Sequence, residues 1–163
     1  MNLYTLCFDS PIGVLEIQTN DNSLLSVSII NHKKKASEII PLIARETYKQ
    51  FKEYFKGTRT EFDLRIHLEG TEFQKKVWNE LLNIPYGQID TYKCIAEKIG
   101  NIKASRAVGN ANNKNKLLII VPCHRVIASS GKLNGYREGI DKKEWLLNHE
   151  KLIIKSIKNP LYR

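Results

Sequence analysis

Two runs near the start of the chain, residues 3–8 and 12–18, alternate apolar and polar positions and are rich in β-forming residues, the period of a half-buried strand. Asp9-Ser10-Pro11 between them is a turn signal. Leu24 to Ile30, following Asn20-Asp21-Asn22, reads as a third strand. The spacing then changes. From about Ala36 to Phe55, Ile39, Ile40, Ile43, Tyr48, Phe51 and Phe55 fall mostly on one helical face, and Gly57 ends the helix. Phe62 to Leu68 alternates again and predicts a fourth strand.

Beyond Glu69-Gly70-Thr71 the pattern becomes mainly helical. Thr71 can cap a helix carrying Phe73, Val77, Trp78, Leu81 and Leu82, which stops at Pro85-Tyr86-Gly87. Short helices are expected from about Thr91 to Ile99, closed by Gly100, and from Lys103 to Asn113. In the second, Ala104, Ala107, Val108 and Ala111 should face inward, with Lys103, Arg106, Asn110 and Lys114 outside. Two short helices joined by a tight glycine-containing turn, the second small-faced and basic, are the pattern of a helix-turn-helix. Leu117 to Val121 reads as a buried strand leading into Pro122-Cys123-His124-Arg125. A loop rich in Ser and Gly follows, then a last amphipathic helix from about Asp141 to His149. Trp78 and Trp145 are expected in the core, and His32 and His67 on the surface or as satisfied core residues. The class is α+β. Its first part, 1–69, is a small α/β domain with an antiparallel sheet and a helix, and its second, 70–163, is mainly helical.

Charge sharpens the division. Residues 1–69 carry nine Lys/Arg and nine Asp/Glu, whereas residues 70–163 carry seventeen and eight, the whole of the +9 excess. The forty residues from Lys98 to Arg137 hold eight basic residues and no acid. A block of this kind on a folded element is the electrostatic footprint expected for a polyanion. No apolar run approaches the length of a membrane span, and the N-terminus lacks the pattern of a signal peptide. The expectation is a soluble, cytoplasmic protein with no membrane partner.

Cys7, Cys94 and Cys123 are odd in number and widely spaced, against a disulfide framework or a zinc ribbon. Cys7, His32 and His67 are the only such donors in the first half, and no metal or cofactor is expected. Cys123 differs from the other two. It follows a proline and precedes His124 and Arg125, in a stretch free of acids for fourteen residues after it and more than twenty before. Neighbouring cationic and imidazole groups lower a thiol pKa and favour the nucleophilic thiolate. A Cys–His pair also needs a group to orient the imidazole, and Glu150 is a candidate. At this level a Cys–His hydrolase and a DNA-binding regulator with an incidental cysteine both remain open.

Val121-Pro122-Cys123-His124-Arg125-Val126, with Asn115 eight residues upstream, resembles the active-site signature of the O6-alkylguanine-DNA alkyltransferases. Gly70 to Leu81, Ile84-Pro85-Tyr86-Gly87, Arg106-Ala107-Val108-Gly109, Gly135-Tyr136 and Lys143-Glu144-Trp145-Leu146-Leu147-Asn148-His149-Glu150 fall in the family's order and spacing. The resemblance covers residues 70–150, and the first half fits by size and strand–helix order. It implies a ribonuclease-H-like first domain and a winged-helix-like DNA-binding second domain. It also implies a monomer that acts on double-stranded DNA containing O6-alkylguanine and is consumed by its own reaction.

Residue by residue, Cys123 would be the alkyl acceptor, His124 its base through a water, Glu150 the group orienting His124, and Asn115 the holder of the turn. Tyr92 would stand by the flipped base and donate to it, and Arg106 would fill the gap in the stack. Lys103, Ala107, Asn110 and Arg125 would join it at the DNA. The carbonyls of Cys123 and Val126 would accept from the guanine amino group. Tyr136 would wall the pocket, with the Arg137 N–H near the alkylated oxygen and Glu138 at the rim. Arg137-Glu138 departs from the smaller Ser-Gly pair of some relatives, and the two Cys and two His that bind zinc in some eukaryotic relatives are not matched here.

Overall fold

A computed structural model describes every residue except Asn134, Pro160, Tyr162 and Arg163. The chain divides into two compact units: Met1–Glu69 with Lys116–Leu118, and Gly70–Asn115 with Ile119–Arg163.

In the first unit, strands β1 (Tyr4–Ser10), β2 (Gly13–Thr19) and β3 (Leu24–Ile30) form an antiparallel sheet in chain order. A tight turn at Pro11-Ile12 joins β1 to β2, where the Ser10 hydroxyl donates to the Gly13 carbonyl at 2.6 Å. Phe8, Leu15, Ile17 and Val27 are buried. Helix α1 (Leu42–Lys56) supplies Phe51 and Tyr54, both fully buried, and Phe51 packs on Phe62 at 5.1 Å between ring centroids.

Helix α1 starts six residues later than its apolar spacing suggests. Pro41 is its N-cap, and a proline disfavours helical geometry in the residue before it, so the face cannot include Ile39 and Ile40. Ile39 is 72% exposed. The preceding stretch instead lies along β1, where Ser37 N–H donates to the Thr5 carbonyl and Thr5 N–H to the Ser37 hydroxyl. The expected fourth strand is reduced to a single parallel bridge, Leu24 to Ile66. A second bridge, Val27 to Leu117, explains why. Two separate segments share the outer edge of the seven-residue β3, and neither has room for a ladder.

In the second unit, α2 (Glu72–Leu81) opens on a reciprocal capping box between Thr71 and Gln74 and buries Val77, Trp78 and Leu81. Strand β4 (Asp90–Thr91) leads directly into α3 (Tyr92–Lys98), capped by the Thr91 hydroxyl. Gly100, at φ 82°, turns the chain toward α4 (Ser105–Asn113). Helix α4 packs on both α2 and α3, and Trp78 Nε1 donates to the Ala111 carbonyl at 2.8 Å. Strand β5 (Val126–Ile127) pairs in parallel with β4.

Helix α5 (Ile140–Lys158) is twice the expected length. No glycine or proline interrupts its sequence, and Asp141 in the first turn and Lys155 and Lys158 in the last complement the helix dipole. Trp145 is half-buried and stacks on His149 at 4.9 Å, so it is not a core residue. Leu117–Val121 is buried but is not a strand. Ile119 has φ 70°, a left-handed conformation unusual for a β-branched residue, and it reverses the chain just before the cysteine. No described helix is long and apolar enough to cross a membrane.

Candidate active site

Cys123 opens a one-turn 3-10 helix, Cys123–Arg125, whose three residues are all buried. The reversal at Ile119 and the turn after α4 bring Asn115 beside it. Asn115 Nδ2 donates to the Val121 carbonyl at 2.9 Å and lies 3.3 Å from Cys123 Sγ. One amide therefore holds both the strained turn and the sulfur.

Behind the cysteine, Glu150 projects from the middle of α5. Its Oε2 lies 2.7 Å from His124 Nε2, and both side chains are fully buried. Arg125 grips the same carboxylate through Nε at 2.8 Å and Nη2 at 3.1 Å, and the Gly87 N–H donates to it at 3.1 Å. Burial pushes the Glu150 carboxyl up, but His124 and Arg125 outweigh it and hold the group far below the usual carboxylate range. Burial pulls His124 below its ordinary value. The ring is therefore neutral, with Nε2–H given to Glu150 and the lone pair on Nδ1. Among the described residues Nδ1 has no hydrogen-bond partner.

Two expectations need correction here. The Arg125 side chain, expected at the DNA, is buried. Its guanidinium is buried on Glu150, donates through Nη1 to the Ile84 carbonyl at 2.8 Å and lies over the Tyr86 ring. A buried carboxylate needs a paired cation, and Arg125 is the one beside it. Nor do the sequence neighbours of Cys123 supply a field for its thiolate, because His124 is neutral and Arg125 is engaged by Glu150. Burial pushes the Cys123 thiol above its ordinary value; Asn115 and Lys143 oppose the rise.

The sequence reading missed Lys143 and Asn112. Lys143, on α5, is fully buried and donates from Nζ to the Val126 carbonyl. Its ammonium lies 5.8 Å from the Tyr92 ring centroid and 6.0 Å from that of Tyr136. Burial pulls its pKa down to about 8, against the opposing effect of Cys123. Asn112 is buried on α4 and donates to the Cys123 carbonyl at 3.2 Å. That carbonyl also accepts from the Val126 N–H. The two carbonyls expected to read a guanine amino group thus already have donors. The signal for Lys143 was its spacing, since 143, 146 and 150 form one helical stripe with the buried Leu146 and Glu150.

Tyr92, at the start of α3, is half-buried, and burial and Cys123 raise its hydroxyl pKa. Tyr136 is buried, and the same two causes raise it further. Tyr92 lines a cleft of ≈ 420 Å³ with Ser105, Arg106, Gly109, Asn110, Asn113 and Gly135. Lys103, Arg106 and Asn110 are exposed, as their helix face predicts. Ala107 is exposed too, because α4 turns Ala104, Val108 and Ala111 inward and leaves position 107 on the outer face. Arg137 is exposed and reaches the Asn115 carbonyl at 3.5 Å; Glu138, 4.0 Å from the Arg137 guanidinium, is largely covered.

Residues 72–152 match the family described as 6-O-methylguanine DNA methyltransferase, DNA binding domain. Over 153 residues the chain is 48% identical to a methylated-DNA–protein-cysteine methyltransferase of Methanosarcina acetivorans, covering 91% of this chain and 98% of that one. The chain belongs to this methyltransferase family. A Mycobacterium tuberculosis family member of the same name is 44% identical over 147 residues, 88% of this chain and 89% of its own. The crystal structure of the Mycobacterium tuberculosis O6-methylguanine methyltransferase superposes with a TM-score of 0.83 at 41% identity, covering 92% of this chain and 93% of that one. A structure of the Mycobacterium tuberculosis protein in complex with DNA superposes equally well, at 43% identity over 90% of this chain and 92% of that one.

Proposed function

We propose that this family member is a DNA-repair protein that takes the alkyl group of O6-alkylguanine in duplex DNA onto Cys123, once and irreversibly. The observation that carries this reading is the buried chain Asn115–Cys123 with the His124–Glu150 pair behind it. His124, neutral and oriented through Nε2, takes the thiol proton on Nδ1 through a water molecule. The thiolate attacks the alkyl carbon, the carbon–oxygen bond breaks, and guanine leaves as an anion that Tyr92 protonates. The product is a thioether on Cys123, which no group in the site can reverse.

The alkylated oxygen lies inside a duplex, so the base must be extruded at a cost of a few kcal/mol, lowered where the lesion weakens the pair. Helices α3 and α4 act as a helix-turn-helix. Arg106, exposed at the start of α4 on the rim of the cleft, enters the stack in place of the base. Lys103, Ala107 and Asn110 share that outer face. Cys123 and Val126 carbonyls exchange their Asn112 and Lys143 donors for the guanine amino group, Tyr136 walls the pocket, and the Arg137 N–H meets the oxygen beside Glu138. Residues 1–69 serve as the N-terminal domain and 70–163 as the alkyltransferase domain of a cytoplasmic monomer.

Incubation with duplex DNA carrying labelled O6-methylguanine tests this. Label should move to Cys123, raise the intact mass by about 14 Da and stop at one equivalent. A regulator would take none, and a Cys–His hydrolase would turn over.

A further inference from the structure

We propose that Asn112 sets how far the base pocket depends on guanine's amino group: by keeping a donor on the Cys123 carbonyl, it lets the site accept an O6-alkylpurine without that group, such as O6-methylhypoxanthine. This rests on the alkyl-transfer reading above.

Asn112 lies in the last turn of α4, 3% exposed, among the buried residues that include Val108 and Ala111. Its Nδ2 donates to the Cys123 carbonyl at 3.2 Å, and because that partner is an acceptor it fixes which end of the amide faces it. The other end of the amide is destabilising. Oδ1 is buried with no hydrogen-bond partner among the described residues, and an unmade bond of this kind costs more than a made one returns. An apolar side chain would fill the same place with no orphaned oxygen. Packing therefore does not ask for an amide here; the Cys123 carbonyl does.

A backbone carbonyl has two lone pairs. That of Cys123 accepts from Asn112 and from the Val126 N–H, so it is satisfied before any base arrives. The Val126 carbonyl likewise has the Lys143 ammonium as its donor. A site whose buried acceptors wait for a substrate N–H rejects the analogue lacking it by about 10⁴- to 10⁵-fold, because those acceptors are then left unpaired. Here they are not. Guanine's amino group gains at the Cys123 carbonyl only the difference between its own hydrogen bond and the one Asn112 gives up. A base without the amino group leaves Asn112 in place.

Single-turnover methyl uptake from two duplexes tests this, one carrying O6-methylguanine and the other O6-methylhypoxanthine, which differ only in the amino group. The wild-type preference for O6-methylguanine should be about tenfold or less. In Asn112→Leu, which keeps the branched shape and removes the donor, the preference should rise by about 3- to 10-fold, the rate equivalent of one neutral hydrogen bond. Asn112→Val should behave alike and relieves any crowding by leucine. The preference is a ratio within one protein, so a partly unfolded variant lowers both rates and leaves it unmoved. A larger wild-type preference, or a ratio that does not rise in a variant that melts cooperatively, would overturn the proposal. A fall in the ratio would mean that Asn112 reads the amino group directly, which overturns it as well. The Kd values of the same two duplexes with Cys123→Ala protein, with and without Asn112→Leu, give the comparison without a transfer step. If wild-type protein takes up no methyl, the alkyl-transfer reading fails separately, and the Kd ratio still decides on Asn112.

Discussion

Glu150 and His124 meet at 2.7 Å with neither side chain reaching solvent. The same carboxylate holds Arg125 and the Gly87 N–H. One acidic group thus fixes the tautomer of the base, neutralises a buried cation and anchors the Pro85–Gly87 turn.

Acid should therefore unfold the protein through this cluster. His124 has a folded pKa below its unfolded value of about 6.5. Its contribution to stability is present above that value and lost as the pH falls through and below it, as the unfolded state takes up the proton. Glu150 has the same sign, and its contribution is lost as the pH falls below the ordinary carboxylate range. Urea midpoints should drop from pH 7 to 5 and again to 3. In Glu150→Gln the lower step should shrink, and the pH 7 stability should fall by about 3–5 kcal/mol because Arg125 is left buried without its anion.

The two arginines assigned to DNA by sequence should separate experimentally. Arg106→Ala should leave thermal stability unchanged within about 0.5 kcal/mol, as at an ordinary surface position. It should slow repair of duplex O6-methylguanine roughly 5- to 150-fold, the rate equivalent of about 1–3 kcal/mol of lost stacking, with the free base unaffected. Arg125→Ala should do the opposite, unfolding the protein at lower urea while leaving the salt dependence of DNA binding by the folded fraction unaltered. Equal losses on duplex and free base for Arg106→Ala would mean it supports the fold.

Asn115→Ala should cost about 1–3 kcal/mol, because the Val121 carbonyl loses its donor inside the core. The same change removes the amide facing Cys123 Sγ. Iodoacetamide labelling of Cys123 should then require a higher pH in a variant that still melts cooperatively.

Gly87 has φ 77°, and a Cβ there would lie 2.5 Å from Ile154 Cγ1. Gly87→Ala should lower the melting temperature by several degrees, the equivalent of about 1–2 kcal/mol of left-handed strain plus the clash. Ile154→Ala in the same chain should return only the clash, which a double-mutant cycle measures.

The elements whose signals are local were legible in the sequence. Strand alternation marked β1, β2 and β3, the Thr71 cap marked α2, and Gly57 and Gly100 marked two helix ends, because each depends on neighbours within a turn or so. The motif around Cys123 likewise named Asn115, His124 and Glu150, which do lie together. What the tertiary structure decided is where charges and edges find partners. Periodicity could not tell that Arg125 is captured by a carboxylate 25 residues away, nor that Lys143 points inward beneath two tyrosine rings. It could not tell that the edge of β3 is divided between Ile66 and Leu117, two segments far apart in the sequence. A side chain's helix face follows from a period of 3.6 residues, but its partner, its desolvation and hence its charge state are set by groups that only the folded chain brings near.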